Sequence, residues 1–446
     1  MHLPSARADS MNLVQVEQKV TKMAVSSQTA NNSAISPFNK GLGGFDRPLS
    51  ASEIIARGWN LLNEDISLPA AVLYQDKLNH NLLWMQQFID AYGLRLAPHG
   101  KTTMAPRLFG MQLQAGAWGI TLATAHQTHV AYSHGVRCVL MANQLVGRAN
   151  MSLIAQLIQD PGFSFYCLVD SADVVNLLGE FFAEQGLRLN VLLELGVVGG
   201  RTGVRDDAQL ESVLAALSRW SHSLVLAGVE VYEGVLKQEA EVHAFLERAV
   251  GVTRRLAEQK RFQRAPFLLS GAGSLWYDVV AEVFAAAGLG RSAEIVLRPG
   301  CYLTHDVGAY REAQARILQH NPVARRMHSG LVPALHLWAY VHSVPEPNRA
   351  IVGLGKRDAA FDSGLPTPAL YFRPSQQAPT PAPAHWSLSK MMDQHSYLDI
   401  AGADQLRPGD MIAFDISHPC LTFDKWRVLP VLDSRYHVVD IVETYF

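Results

Sequence analysis

Six short constellations hold the side chains from which chemistry can be built. Leu96-Ala97-Pro98-His99-Gly100-Lys101-Thr102 sets a lysine just beyond an apolar run. An amine placed there forms a Schiff base when desolvation lowers its pKa, although most lysines are simply solvated. Leu268-Leu269-Ser270-Gly271-Ala272-Gly273-Ser274 runs an apolar stretch into a turn of small residues. Backbone N–H groups in such a turn take up an anion, and the same pattern also serves a plain connecting turn. Arg298-Pro299-Gly300-Cys301-Tyr302 adds a guanidinium and a phenol, and Gly199-Gly200-Arg201-Thr202-Gly203 holds an arginine between glycines. Asp415-Ile416-Ser417-His418-Pro419-Cys420 puts His418 and Cys420 at i and i+2. On an extended segment both point to one side, and imidazole with thiolate is a zinc pair. A buried cysteine beside a capped histidine is the plainer alternative. Two ligands leave open positions, as catalytic metal sites do. The sixth constellation is Met392-Asp393-Gln394-His395-Ser396, with His395 undecided; His336 and His342 read as surface polar residues.

Such groups need a frame that brings them together. Nine apolar runs lie between Pro69 and Gly300, from Ala70–Tyr74 and Leu94–Pro98 to Phe267–Leu269 and Ile295–Leu297. Amphipathic segments such as Lys77–Tyr92, Ala172–Gln185 and Glu239–Gln259 separate them. That alternation predicts parallel βα units whose strands are buried on both faces. The span fits an α/β fold, a (β/α)8 barrel of ~250 residues, in which chemistry sits at the C-terminal strand ends. Nine runs are one too many for eight strands, so the first or the last belongs elsewhere. Beyond residue 326 the runs lose their intervening helices, which predicts an antiparallel β domain. Pro374–Pro383, with four prolines, reads as an exposed loop. The expected division is a flexible tail over 1–48, a barrel over 49–325 and a β domain over 326–446.

Composition narrows the function classes. In the 446 residues, 38 Lys+Arg against 40 Asp+Glu leave a net charge of −2. A general nucleic-acid binder would be basic. No apolar run approaches the ~18 residues of a membrane span. Cys138, Cys167, Cys301 and Cys420 are too few and too scattered for a disulfide framework, which implies reduced thiols and a cytosolic chain. The first 48 residues lack the apolar segment of a secretory signal.

Taken in chain order, Pro98-His99-Gly100-Lys101-Thr102, Gly200-Arg201-Thr202-Gly203, Tyr232-Glu233-Gly234, Ser270-Gly271-Ala272-Gly273-Ser274, Arg298-Pro299-Gly300-Cys301-Tyr302 and His418-Pro419-Cys420 resemble one family. It is the D-serine dehydratase / D-threonine aldolase group, pyridoxal-phosphate enzymes of the alanine-racemase-like fold. The resemblance covers roughly residues 55–446. It implies that Lys101 holds pyridoxal phosphate and is catalytic. It implies further that Gly271, Gly273, Ser274 and Tyr302 meet the cofactor's phosphate. Arg201 is similar to the arginine near the pyridine nitrogen, and Tyr232 falls among the cofactor-binding positions. His418 and Cys420 match the metal pair. Ala97 stands where the family often has Arg, and Thr102-Thr103-Met104 departs from the more usual Thr-His. A thiolate ligand resembles the zinc-dependent dehydratase branch; the aldolase branch more often has a carboxylate, which suits manganese. The implied reaction turns a β-hydroxy D-amino acid of the D-serine or D-threonine type into a 2-keto acid and ammonia. The rival is aldol cleavage to glycine and an aldehyde. A racemase and a non-catalytic pyridoxal-phosphate carrier are weaker rivals. Family members usually pair as head-to-tail homodimers.

Overall fold

A computed structural model describes residues 34–446. The apolar runs form strands where expected. β1 (Ala70–Tyr74) is followed by β2 (Arg95–Leu96), β3 (Ile120–Leu122), β4 (Cys138–Gln144), β5 (Ser164–Val169), β6 (Leu189–Leu195), β7 (Leu224–Val231), β8 (Phe267–Gly271) and β9 (Ala293–Leu297). β2 to β9 make one parallel sheet in the order β2-β9-β8-β7-β6-β5-β4-β3. Its two edges meet. The Trp118 N–H donates to Leu96 O at 2.7 Å and the Thr121 N–H to Pro98 O at 2.9 Å, with a parallel bridge between His99 and Thr121. The sheet is therefore an eight-stranded barrel, with helices such as Gln75–Ala91, Ala172–Glu184 and Glu239–Glu258 outside it. Inside, Ala97, Leu140, Tyr166, Leu168, Leu192, Ala227, Leu268 and Val296 pack a closed core rather than a pore.

The ninth run is the first one. β1 pairs antiparallel with β10 (Leu335–Glu346), Ala70 opposite Trp338, and parallel with β17 (Val428–Leu432). The C-terminal sheet runs β13-β12-β16-β10-β1-β17-β18, where β12 is Thr367–Phe372, β13 Thr380–Pro381, β16 Met411–Asp415 and β18 Val438–Glu443. β11 (Arg349–Val352), β14 (Ser387–Met391) and β15 (Ser396–Asp399) extend it beside β10. β13, within the proline-rich stretch, is an exposed edge, where a missing N–H costs no ladder bond.

Two expected boundaries are corrected. The tail does not run to residue 48. Ile35 pairs with Leu49, and Ile35 and Leu42 are buried in a cluster with Trp338, Met411 and Leu432. Lys40 reaches Asp358 at 2.7 Å and lies 3.9 Å over the Trp426 ring. Residues 1–33, the rest of the expected tail, lie outside the described residues. Nor does the barrel begin at 49, because Leu49, Ile54, Leu61, Ile66, Ala70 and Val72 belong to the same β-domain cluster. The barrel is thus set into a β domain made from both halves of the sequence. No helix among the described residues is long and apolar enough to cross a membrane.

Candidate active site

Five loops at the C-terminal ends of barrel strands converge with one loop of the β domain. The first follows β2, where Gly100–Thr102 forms a 3-10 turn that carries Lys101 into the mouth. Gly300, after β9, is the close-approach point. A Cβ there would stand 2.7 Å from His99 O and 3.0 Å from Thr102 Oγ1. Only glycine lets the Lys101 turn lie against the loop bearing Cys301. Lys101 is open to water from the mouth yet ringed by protein. Desolvation lowers its pKa, Arg201 and Arg298 act in the same direction, and Cys420 opposes them. His99, two residues before it, is half-buried, held well below its ordinary pKa by desolvation and then by Lys101, and its buried Nδ1 has no hydrogen-bond partner.

The turn after β8 is already organised by a residue that sequence reasoning did not single out. Glu233, fully buried after β7, accepts the N–H of Ala272 at 3.2 Å and of Gly273 at 2.6 Å. Burial raises its pKa. The only signal was its place in Tyr232-Glu233-Gly234 on the neighbouring strand end. Two amides of the predicted anion turn are therefore taken, leaving the far end at Ser274. There the Ser274 hydroxyl accepts the Cys301 N–H at 3.3 Å, joining the loops after β8 and β9. Gly273 is needed for packing, since a Cβ would meet the Tyr232 ring at 3.1 Å. Gly271 closes β8 and faces Val231, Phe284 and Val280.

Ser274, Cys301, Tyr302, His305 and Tyr310 line one cleft; Arg201, Thr202, Tyr232 and Glu194 line a second. Tyr302 is buried, and its hydroxyl accepts from Gln112 Nε2 at 3.2 Å. The Arg201 guanidinium lies 4.8 Å from the centre of the Tyr232 ring. Beneath the second cleft, Glu194 accepts from Thr202 Oγ1 at 2.6 Å and from Gln144 Nε2 at 2.5 Å. Arg298 does not enter the mouth. It is buried, ion-paired to Glu230, and donates to Ser270 Oγ at 3.1 Å and Val231 O at 3.0 Å. Burial pushes Glu230 up to about 7 against the pull of that guanidinium.

The β domain contributes His418 and Cys420. They do not lie on an extended segment, because Pro419 adopts helical angles (φ −57°, ψ −44°) and Cys420 opens the helix Cys420–Phe423. Proline's fixed φ suits that start. The two side chains still perturb each other, His418 lowering the Cys420 pKa and Cys420 raising that of His418. Cys420 Sγ is 3.5 Å from Thr102 Oγ1 and 4.0 Å from Cys301 Sγ. Hydrogen bonding from Cys301, then from His418 and Thr102, holds the Cys420 thiol down to about 4. Its thiolate, with Asp362, holds His418 up to about 9. The imidazole and the sulfur lie beside the Lys101 turn. Among the described residues no group of three or more His, Cys, Asp and Glu could hold a metal ion. His336 is not a surface residue. It is buried, its Nε2 2.9 Å from Asp415 Oδ1 and its Nδ1 3.2 Å from the Tyr74 hydroxyl. The rings of His342 and His395 lie edge to face, their centres 6.2 Å apart.

Comparison with known proteins agrees with this fold. Residues 73–288 match the family model of the alanine racemase N-terminal domain, and residues 334–432 that of a putative serine dehydratase domain. The chain is 26% identical over 307 residues to a D-threonine aldolase of an Arthrobacter species, covering 68% of this chain and 75% of that one. It is 30% identical over 249 residues to the D-threo-3-hydroxyaspartate dehydratase of Delftia sp. strain HT23, covering 54% and 62%. The crystal structure of the D-threonine aldolase of Filomicrobium marinum shares the fold, with a TM-score of 0.71 at 23% identity over 87% of this chain and 97% of the other.

Proposed function

We propose that the chain is a member of the D-serine dehydratase / D-threonine aldolase group of pyridoxal-phosphate lyases, as its similarities support, and that it dehydrates and deaminates a β-hydroxy D-amino acid with the help of zinc. The observation that carries this reading is the Cys420 sulfur, 3.5 Å from the Thr102 hydroxyl next to Lys101. A thiolate donor at that place favours zinc over the oxygen-preferring metals.

The residues fit both groups. For pyridoxal phosphate there is a lysine of lowered pKa and, at Ser274 and Cys301, a seam between two strand-end loops. For zinc there is a thiol of lowered pKa and an imidazole, a sulfur and nitrogen donor pair. Bound pyridoxal phosphate supplies an electron sink for charge at Cα, and zinc supplies Lewis acidity toward a β-hydroxyl. The protein does the rest. Lys101, its pKa lowered by desolvation, takes the α-proton. Ser274 and Tyr302 bound the phosphate end, with Glu233 fixing the turn. Arg201 and Tyr232 form the opposite wall, and His418 and Cys420 would hold the metal. We read the assembly as a homodimer, which the exposed Val198 and Val235 at the mouth support. We read the compartment as cytosolic, in keeping with four free cysteines.

The test is product identity. Holoenzyme given D-threonine is expected to yield 2-oxobutyrate and ammonia, with the rate lost on thorough chelation and restored by zinc. Glycine with acetaldehyde as the sole products would overturn dehydration in favour of aldol cleavage.

A further inference from the structure

The metal pair is set by a partner that its own segment does not contain. Asp362 Oδ2 is 2.8 Å from His418 Nδ1. It lies in the connection between β11 and β12, and that connection is fastened to the His418 segment on both sides. On one side the Ser417 hydroxyl donates to Gly364 O at 2.6 Å. On the other the Ala360 N–H donates to Thr422 Oγ1 at 3.2 Å, and that hydroxyl donates to His418 O at 3.1 Å. The base of the connection is fixed as well. Asp358 is buried, accepts the Gly355 N–H at 3.0 Å, and passes its carbonyl to the Trp426 indole at 2.8 Å.

The carboxylate itself is partly open to water, at 40% exposure against 28% for His418. An ion pair so exposed adds little to stability. Its consequence is orientation. With Nδ1 engaged by Asp362, Nε2 is the ring nitrogen left to meet a metal ion once it gives up its proton. A carboxylate on the far nitrogen of a metal-bound imidazole fixes the tautomer and ring plane and raises ligand basicity.

We propose that Asp362 is the positioning residue of the metal pair, holding His418 so that Nε2 and the Cys420 thiolate face one ion. This rests on the zinc reading above. The test measures zinc affinity of full-length holoenzyme by competition with a chromophoric chelator, for Asp362→Ala, Asp362→Glu and, as reference, His418→Ala. Asp362→Ala is expected to weaken zinc by about 10–100-fold, Asp362→Glu to recover most of it, with cofactor absorbance and melting temperature unmoved in both. Unchanged affinity in Asp362→Ala beside a loss in His418→Ala overturns the positioning role alone. Unchanged affinity in His418→Ala overturns the metal pair, and the role of Asp362 with it. A loss of zinc that tracks a fall in melting temperature, with no recovery in Asp362→Glu, also overturns it, since the carboxylate would then be only a structural contact.

Discussion

His305 offers a quantitative check on the cleft behind Ser274. It is 5% exposed, and burial lowers its pKa to about 4, with Asp415 opposing. In the unfolded chain it returns to the ordinary 6.5 or so. The folded pKa is depressed, so His305 adds stability above about pH 6.5 that is lost as the pH falls toward 4. Taking those two values, its contribution drops by about 2 kcal/mol between pH 7 and pH 5, and by about 3 kcal/mol by pH 4. His305→Asn removes the titration. Asparagine also tolerates the left-handed backbone at this position, φ 49°. The assay is the difference in urea unfolding free energy between wild type and the variant, at pH 7 and pH 5. Asp306, held up to about 6 by burial, titrates in both proteins and cancels. The variant should gain about 2 kcal/mol on wild type at the lower pH. An equal difference at both values would refute a buried, neutral His305.

Glu230→Ala leaves the Arg298 guanidinium buried without its carboxylate, and should cost about 3–5 kcal/mol in chemical denaturation; a cost below about 1 kcal/mol would mean water already reaches the pair. Removing residues 1–48 should destabilise the protein more than removing 1–33, by about 3–6 kcal/mol for Ile35 and Leu42 together, read as a lower unfolding midpoint. Lys101→Ala should purify without the visible absorbance of bound cofactor, and retention of that absorbance would displace Lys101 from its role.

Much of the architecture was legible because parallel strands are buried on both faces and read as continuous apolar runs. What the runs could not say is which sheet claims them. β1 is fully buried along its length, as is β7 in the barrel, so pattern alone left its membership open. β17 escaped notice because Pro430 interrupts it, and β14 because three of its five residues are exposed. Lys101 was legible from its place at a strand end. Glu233 was not, since a carboxylate beside glycine reads as a solvated turn until the neighbouring strand brings amides to it. His336 sits among Leu335, Leu337 and Trp338, and its partners Tyr74 and Asp415 are far off in sequence. Asp362 was hidden for the same reason, 56 residues from its histidine.

The interleaved β domain also sets an order of events during synthesis. Ala70 faces Trp338 in the finished sheet, so β1 leaves the ribosome some 268 residues before its first partner. At roughly 10 residues per second that wait is about half a minute. The barrel can close in the interval, but five apolar residues stay unpaired until the C-terminal strands arrive. Nascent chains stalled between residues 330 and 430 should therefore be the ones most in need of a chaperone.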